Sequence, residues 1–184
     1  MCLAEWISRE EYRSNDYENN STVTDPQQNR FSWLSDMGIQ FVAWFFPLYN
    51  SLQGFGPKHF WTDCKLIGEL KTPKDKQEAI AVGASDVVSF LRSLIADDKF
   101  YFDANTSGDS VTGEQDPRGL IRIIVSGVVH QISNCIGVFD CLFGVVKVPD
   151  YDLWKIKSIH MKIHVNSPTS GNLAPVSQVP SICL

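Results

Sequence analysis

An aspartate and a histidine, two residue types that can exchange protons, stand in long apolar runs in the second half of the sequence. Asp140 interrupts the run GVFDCLFGVV, and His160 lies in WKIKSIHMKIHV. A carboxylate in such a strand is expected to be partly desolvated, which raises its pKa and suits a general base. If both side chains faced one cavity, they could perform dehydration or enolisation by proton transfer. The alternative for Asp140 is that its face lies at a subunit interface or a solvent edge, where the carboxylate pairs with a lysine of a neighbouring strand. For His160 the alternative is an ordinary surface or core hydrogen bond.

Three further side chains could assist such a pair. His130 lies in the preceding apolar run, Tyr49 ends an aromatic run, and Asp63 follows shortly after Trp61. The alternative for these groups is structural: ion pairs and ordinary hydrogen bonds for the charged groups, and core positions for the aromatic ones. No spacing resembles a metal site, and neither a metal nor a cofactor is expected.

Three β-type runs carry most of these residues. They follow one another over 120–165, with short breaks at 133–135 and 149–152. Runs this long, joined this tightly, predict a strongly bent antiparallel meander. Along each run, alternate residues share a face, so Asp140 is expected opposite Phe139 and Phe143.

The first half of the sequence predicts helices and shorter strands. A helix is expected to begin near Ser35 or Asp36 and to be kinked or ended by Pro47. The segments that follow are a short helix from Pro57, strands over 62–70, 77–82 and 99–104, a helix over 86–94, and a long exposed loop over 105–119. This order predicts an α+β fold, with helices on one face of a bent sheet.

Length and composition bound the remaining possibilities. The 184 residues, 43% of them hydrophobic, predict one domain over 31–165, a polar N-terminal extension over 1–30 and a flexible tail over 166–184. The net charge of −5 argues against nucleic-acid binding as the main activity. The sequence shows neither a membrane span nor a signal peptide, and its five cysteines include no CxxC pair, which favours a reducing intracellular compartment.

Several of these segments resemble the nuclear transport factor 2-like superfamily, whose fold is a cone made by a curved sheet wrapped by helices. FVAWFFPLY (41–49) is similar to the first helix of that family, and HFWTDCKLI (59–67) to its helix-to-strand phrase. Residues 83–91 look like its helix that follows a glycine. The segments 124–128, 138–143 and 154–156 resemble its last three strands.

The resemblance implies two alternative functions. The aromatic helix and FLRSL (90–94) look like the transport and messenger-RNA-export branch. That branch implies a non-enzymatic adaptor in the nucleus or cytoplasm, which forms a homo- or heterodimer through the convex sheet face and takes Phe-Gly-type peptides in aromatic pockets. The enzyme branch places Asp, His or Tyr inside the cone, and implies a cofactor-free dehydratase, isomerase or cyclase with a small-molecule substrate.

The last strand favours an interface. Lys155 and Lys157 fall on one face by alternation, and apolar residues up to Ile163 are expected to continue it. An apolar patch beside cations tends to mark a protein partner. The candidate interface residues are Phe139, Phe143, Lys155, Lys157, Ile159 and Met161; for the two phenylalanines and Met161 the alternative is the core. Which face looks into the cone separates the adaptor from the enzyme.

Overall fold

The computed structural model describes residues 26–107, 110–151 and 153–166, and in these residues two α-helices and seven strands form one sheet layer and one helical layer. The elements are α1 (Pro26–Ser51), a 3-10 turn (Pro57–His59), β1 (Phe60–Lys71), β2 (Lys76–Val82), α2 (Ala84–Ala96), β3 (Phe100–Ala104), β4 (Val111–Gln115), β5 (Ile121–Gln131), β6 (Asn134–Lys147) and β7 (Trp154–Val165). Most of the predicted extension 1–30 and of the predicted tail 166–184 lies outside the described residues. The α+β class and the meander β5–β6–β7 are confirmed.

The sheet has the strand order β2-β1-β7-β6-β5-β3, and β4 also pairs with β5. The pair β1–β7 is parallel and the other pairs are antiparallel. β6 and β7 therefore lie at the centre of the sheet. Side chains on these two strands alternate between the core and the face opposite the helices.

Both helices pack on one face of the sheet. The apolar stripe of α1 brings Phe41 and Phe45 against Phe143 of β6, with ring centroids 4.9 and 4.8 Å apart. The Tyr49 hydroxyl donates a hydrogen bond of 3.0 Å to the carbonyl oxygen of Leu91 in α2. Aromatic rings thus fill the space between the helices and the sheet.

The start predicted for α1 is wrong, and Pro47 does not end the helix. The helix begins at Pro26 rather than near Ser35, and Pro26 stands at its start, where the fixed φ of proline and its missing N–H cost nothing. The helix also continues through Pro47 to Ser51. Pro47 is exposed and only one turn from the end, so it removes a single intrahelical bond without stopping the helix.

The loop expected over 105–119 contains a strand, β4. Its sequence VTGEQ has a central glycine and polar residues, which indicate a turn when taken alone. The contact with α1 explains the strand, because a Cβ on Gly113 would lie 2.2 Å from the Leu34 carbonyl oxygen. The backbone of β4 is packed directly against the helix, and this packing cannot be seen in a five-residue segment.

A β-bulge at Lys157 reverses the alternation expected along β7. Gly144 pairs with Ser158 and the next residue, Val145, pairs with Ile156, so Lys157 has no partner on β6. Ile156 and Ile159 consequently both face the core, although they are three residues apart. Simple alternation would place His160 on the face of Ile156 and would continue the face of Lys157 into Ile159, and across the bulge both expectations are wrong.

In the part of the chain that the structure describes, neither helix combines the length and apolar character that crossing a bilayer would require.

Candidate functional site

Asp140 and His160 lie on the open face of the sheet, the face opposite the helices. Asp140 is exposed and accepts a hydrogen bond of 2.6 Å from the Ser126 hydroxyl of β5. It stands in register with Lys162, while His160 is exposed between Ile67 and Leu142. The prediction that Asp140 is a desolvated carboxylate inside a cavity is wrong. Its neighbours Phe139 and Cys141 occupy the core side of β6, and Asp140 faces the other side.

The other candidate acid–base groups are dispersed. Tyr49 is fully buried, and burial raises the pKa of its phenol well above the ordinary value, with smaller contributions from Cys141 and Asp98. Its hydrogen bond to Leu91 ties α1 to α2, which is a structural role.

Asp63 and His130 occupy two separate places on the surface. The hydrogen bond from Lys157, at 2.5 Å, lowers the pKa of the exposed Asp63 carboxyl. His130 Nε2 lies 4.0 Å from the Asp103 carboxylate, near the other edge of the sheet. Among the described residues, no three His, Cys, Asp or Glu side chains come together as metal ligands.

The candidate interface set divides into two groups. Phe139, Phe143, Ile159 and Met161 are at most 1% exposed, so they belong to the core of the chain and not to a surface. For the phenylalanines and Met161 this was one of the two expected positions; for Ile159 it follows from the bulge.

Lys155 and Lys157 remain on the surface, half-buried. The Lys157 ammonium lies 5.7 Å from the centroid of the Trp61 ring and forms an ion pair with Asp63. The bulge directs this lysine towards β1, where its charge is already paired. Lys157 therefore connects β7 to β1 through its ion pair with Asp63 and its contact with Trp61.

The open face carries an apolar row that runs across five strands. In-register pairing places the side chains of Ile80, Ile67, His160, Leu142 and Ile124 side by side on β2, β1, β7, β6 and β5. Strands lie about 4.8 Å apart, so the apolar row is about 19 Å long. Ile80 is 55% exposed and Ile124 is 43% exposed, which is unusual for isoleucines in a sheet.

Charged rows flank the apolar row on both sides. On one side lies the acidic row, which consists of Glu78, Glu69, Lys162, Asp140 and Ser126. On the other side lies the basic row, which consists of Val82, Lys65, Ser158, Gly144 and Arg122. The open face therefore combines an apolar centre with flanking rows of opposite charge.

Comparison with known proteins matches residues 35–173 to the DUF4518 C-terminal domain. The chain belongs to this family. The C3orf38 homolog of Mus musculus is 32% identical over 157 residues, which cover 79% of this chain and 43% of that protein. The chain thus spans less than half the length of the curated relatives that it matches.

Solved structures with a similar fold include the UBP3-associated protein BRE5 of yeast, with a TM-score of 0.49, 12% identity, and coverage of 68% of this chain and 93% of that chain. Nuclear transport factor 2 from Cryptosporidium parvum has a TM-score of 0.49 and 15% identity, and the match covers 78% of this chain and 99% of that chain. Helices on one face of a largely antiparallel sheet are the arrangement that the resemblance to the nuclear transport factor 2-like superfamily predicts.

Four residues of the apolar row were not among the candidates from the sequence: Ile67, Ile80, Leu142 and Ile124. Each stands in a run where a core position is the default interpretation. Only the register of β2, β1, β6 and β5 brings them together. Sequence signals exist for two of them: Ile80 lies in a weak strand with charged residues at its start, and alternation places Leu142 on the face of Asp140.

The pKa of His59, on the helical side of the sheet, is also shifted. His59 is buried beside Trp44, with ring centroids 5.3 Å apart, and its Nε2–H donates to the Gly54 carbonyl oxygen at 3.1 Å. Burial lowers the pKa of His59 from its ordinary value, and the charges of Lys58 and Lys155 lower it further, against a smaller opposing effect of the hydrogen bond.

The free energy of unfolding is therefore expected to decrease as the pH is lowered through the range in which His59 titrates. Because the folded pKa is lower than the unfolded one, unfolding takes up a proton as the pH falls below about 6.5. Between about pH 7.5 and about pH 5.5, the free energy of unfolding should decrease more in the wild type than in His59→Gln, by on the order of 1 kcal/mol. Urea unfolding at the two pH values measures the difference. Equal decreases in the two proteins would contradict the assignment.

Proposed function

We propose that this chain is a non-enzymatic protein-binding adaptor, which pairs as a homo- or heterodimer through the open face of its sheet. The apolar row at the centre of that face carries the proposal. A row of four aliphatic side chains and one histidine, about 19 Å long, is stabilised when a partner removes its apolar surface from water. The charged rows on either side would set the orientation of the partner and disfavour proteins whose charges do not complement them.

The filled interior also supports an adaptor over an enzyme. Rings of α1, β3 and β6 occupy the space between helices and sheet, and Phe41, Phe45 and Phe143 are at most 1% exposed. A dehydratase, isomerase or cyclase of the expected type needs its acid and base around a substrate-sized cavity. Asp140 and His160 project from the opposite side of the sheet, where solvent would compete with any proton transfer.

The finer part of the proposal is a role in nuclear transport or messenger-RNA export, in the nucleus or cytoplasm. Its support is the resemblance of residues 41–49 and 90–94 to that branch of the superfamily. Short Phe-Gly-type peptides would contact the half-buried aromatic side chains of the helical side, Trp44 and Phe90. This contact is separate from the open face, so the two kinds of partner can be told apart.

Leu142→Asp tests the proposed role of the open face. The substitution places a charge in the middle of the apolar row, and we expect proteins that bind this face to be captured at least about tenfold less well. Quantitative affinity capture with the wild type and the variant measures the loss. Ile132→Asp is the matched control, because Ile132 is 81% exposed in the turn between β5 and β6, away from the row.

The comparison of the two variants decides the outcome. Partners lost with Leu142→Asp and retained with Ile132→Asp bind the open face. If both variants capture the same proteins in the same amounts as the wild type, the face is not the binding surface. Phe-Gly-rich proteins should be retained by both variants, because their contacts lie on the helical side. Thermal unfolding of both variants shows that each is folded.

A further inference from the structure

Three cations surround one point of the open face, at the middle of the basic row. The middle positions of that row are Ser158 and Gly144, which pair with each other on β7 and β6. Lys65 lies one strand beyond the serine, and Arg122 lies one strand beyond the glycine. Lys155, on the same face, lies about 7 Å from the serine and glycine along the strands. The long side chains of the three cations can therefore reach the same point from three directions.

The surface between the three cations is low and polar. Gly144 has no side chain, and a Cβ at its position would overlap the Ser158 hydroxyl oxygen. The hydroxyl thus occupies the space above the glycine, and Leu120 borders that space at 3.1 Å. Within the described part of the chain the hydroxyl makes no hydrogen bond. It can therefore donate one to a ligand that lies between the cations.

The charges of the three cations are not neutralised by the chain itself. Among the described residues, none of the three forms an ion pair. Two carboxylates lie in their neighbourhood: Asp63 is already paired with Lys157, and Glu114 stands opposite Arg122 on β4 without an ion pair. Cations that share one place without a counter-charge repel one another, and a bound anion removes this repulsion.

We propose that Lys65, Lys155 and Arg122 bind a phosphorylated serine or threonine side chain of a protein partner, above the Ser158 hydroxyl. The inference rests on the proposed function and specifies the chemistry of the partner. A phosphate group carries about two negative charges near neutral pH and has three strong acceptor oxygens. Three cations and a hydroxyl match such a group better than they match a single carboxylate. Aliphatic residues beside the phosphorylated one would lie on the apolar row, about 7 Å away.

The acidic row favours a phosphorylated peptide over a membrane or a nucleic acid. Its carboxylates, Glu69, Glu78 and Asp140, lie on the same face as the cations, about 13 Å from the basic row along the strands. A flat anionic membrane or a repeating phosphate backbone would meet these carboxylates as well as the cations. A single phosphorylated residue in a short segment avoids them. The net charge of −5 disfavours extended polyanions for the same reason.

Two degenerate peptide libraries test this proposal. Their fluorescent peptides have about nine residues with random flanks and span about 30 Å when extended, with phosphoserine at the centre in one library and serine in the other. Fluorescence polarisation with the full chain gives an apparent Kd for each. We expect the wild type to bind the phosphoserine library at least about tenfold more tightly than the serine library. Lys65→Glu and Arg122→Glu should each raise the Kd for the phosphoserine library at least about tenfold, and Ser158→Ala about threefold.

Lys162→Glu is the matched control, because it makes the same change of charge at an exposed lysine of the acidic row on the same face. Its Kd for the phosphoserine library should stay within about twofold of the wild type. Equal binding of the two libraries by the wild type overturns the proposal. Equal weakening by Lys162→Glu and Lys65→Glu also overturns it, since net charge alone would then explain the effect. Phosphatidylcholine vesicles with a phosphorylated phosphatidylinositol provide a further arm: tighter binding to them than to the library, lost with Arg122→Glu, would assign the cations to a lipid and overturn the peptide.

Failure of this proposal can be told apart from failure of the proposed function. If Leu142→Asp loses protein partners and the wild type does not prefer the phosphoserine library, the open face binds proteins and only the phosphate site is wrong. If the wild type prefers that library and Arg122→Glu removes the preference, the phosphate site is supported, even where Leu142→Asp retains every protein and the role of the apolar row is wrong. When both are correct, phosphatase treatment of the lysate should remove the same proteins that Leu142→Asp loses.

Discussion

Phe143→Ala is expected to lower the free energy of unfolding by about 3 to 5 kcal/mol. Its ring is fully buried at the centre of the sheet, in contact with the rings of Phe41 and Phe45 from α1. Truncation removes the apolar surface and leaves a cavity that the three neighbouring rings of Phe41, Phe45 and Phe46 can fill only in part. Since a domain of this size has a total stability of roughly 5 to 15 kcal/mol, the variant should unfold at much lower urea concentration.

Two further variants keep this prediction testable. Phe143→Leu retains most of the volume and should cost less than about 1.5 kcal/mol, so it stays folded if the alanine variant does not. Val138→Ala, on the open face of the same strand where valine is 44% exposed, should cost within about 0.5 kcal/mol. If Phe143→Ala and Val138→Ala had equal effects, the assignment of the two faces of β6 would be wrong.

Gly127→Ala is expected to cost about 2 to 4 kcal/mol, although only a methyl group is added. A Cβ at this position would lie 2.2 Å from the Asp103 carbonyl oxygen and 2.6 Å from the ring of Phe139. The carbonyl belongs to the backbone of β3, which pairs with β5 here through Ala104. The methyl group can fit only if β3 moves away from β5 and the phenylalanine ring is displaced from the core.

Gly56→Ala is the matched control for this prediction. Its Cβ would meet nothing within 4 Å, and its backbone is extended. We expect its free energy of unfolding to be unchanged or to rise by up to about 1 kcal/mol, because alanine lowers the entropy of the unfolded chain. Urea unfolding followed by circular dichroism measures both variants. A Gly127→Ala protein as stable as Gly56→Ala would show that β3 does not pack against β5 as described.

The sequence predicts the long elements well, because their signals are local and repeated. The aromatic stripe of α1, the amphipathic helix α2 and the three strands of the meander all have apolar periodicities that extend over two or more turns or several residue pairs. β4 is different. Its five residues include Gly113, and the strand forms because α1 and β5 cover it on two sides.

The candidate site shows where sequence analysis stops being sufficient. Alternation correctly separates Asp140 from Phe139 and Phe143, because β6 is regular there. On β7 the same argument fails after Ile156, since one extra residue in the ladder exchanges the two faces. The bulge places Ile159 in the core and His160 on the open face. The predicted acid–base pair therefore lies on the surface of the sheet and not in a cavity.

The amino-acid sequence by itself determined that this chain forms helices against a curved, mostly antiparallel sheet, because helix and strand periodicities are properties of neighbouring residues. It also determined which residues of β6 share a face. Only the tertiary structure decided which face the helices cover, where the bulge reverses β7, and that Ile80, Ile67, Leu142 and Ile124 align across separate strands. The reason is that pairing register is set by contacts between strands that are distant in the chain, and a shift of one residue exchanges every inward side chain with an outward one.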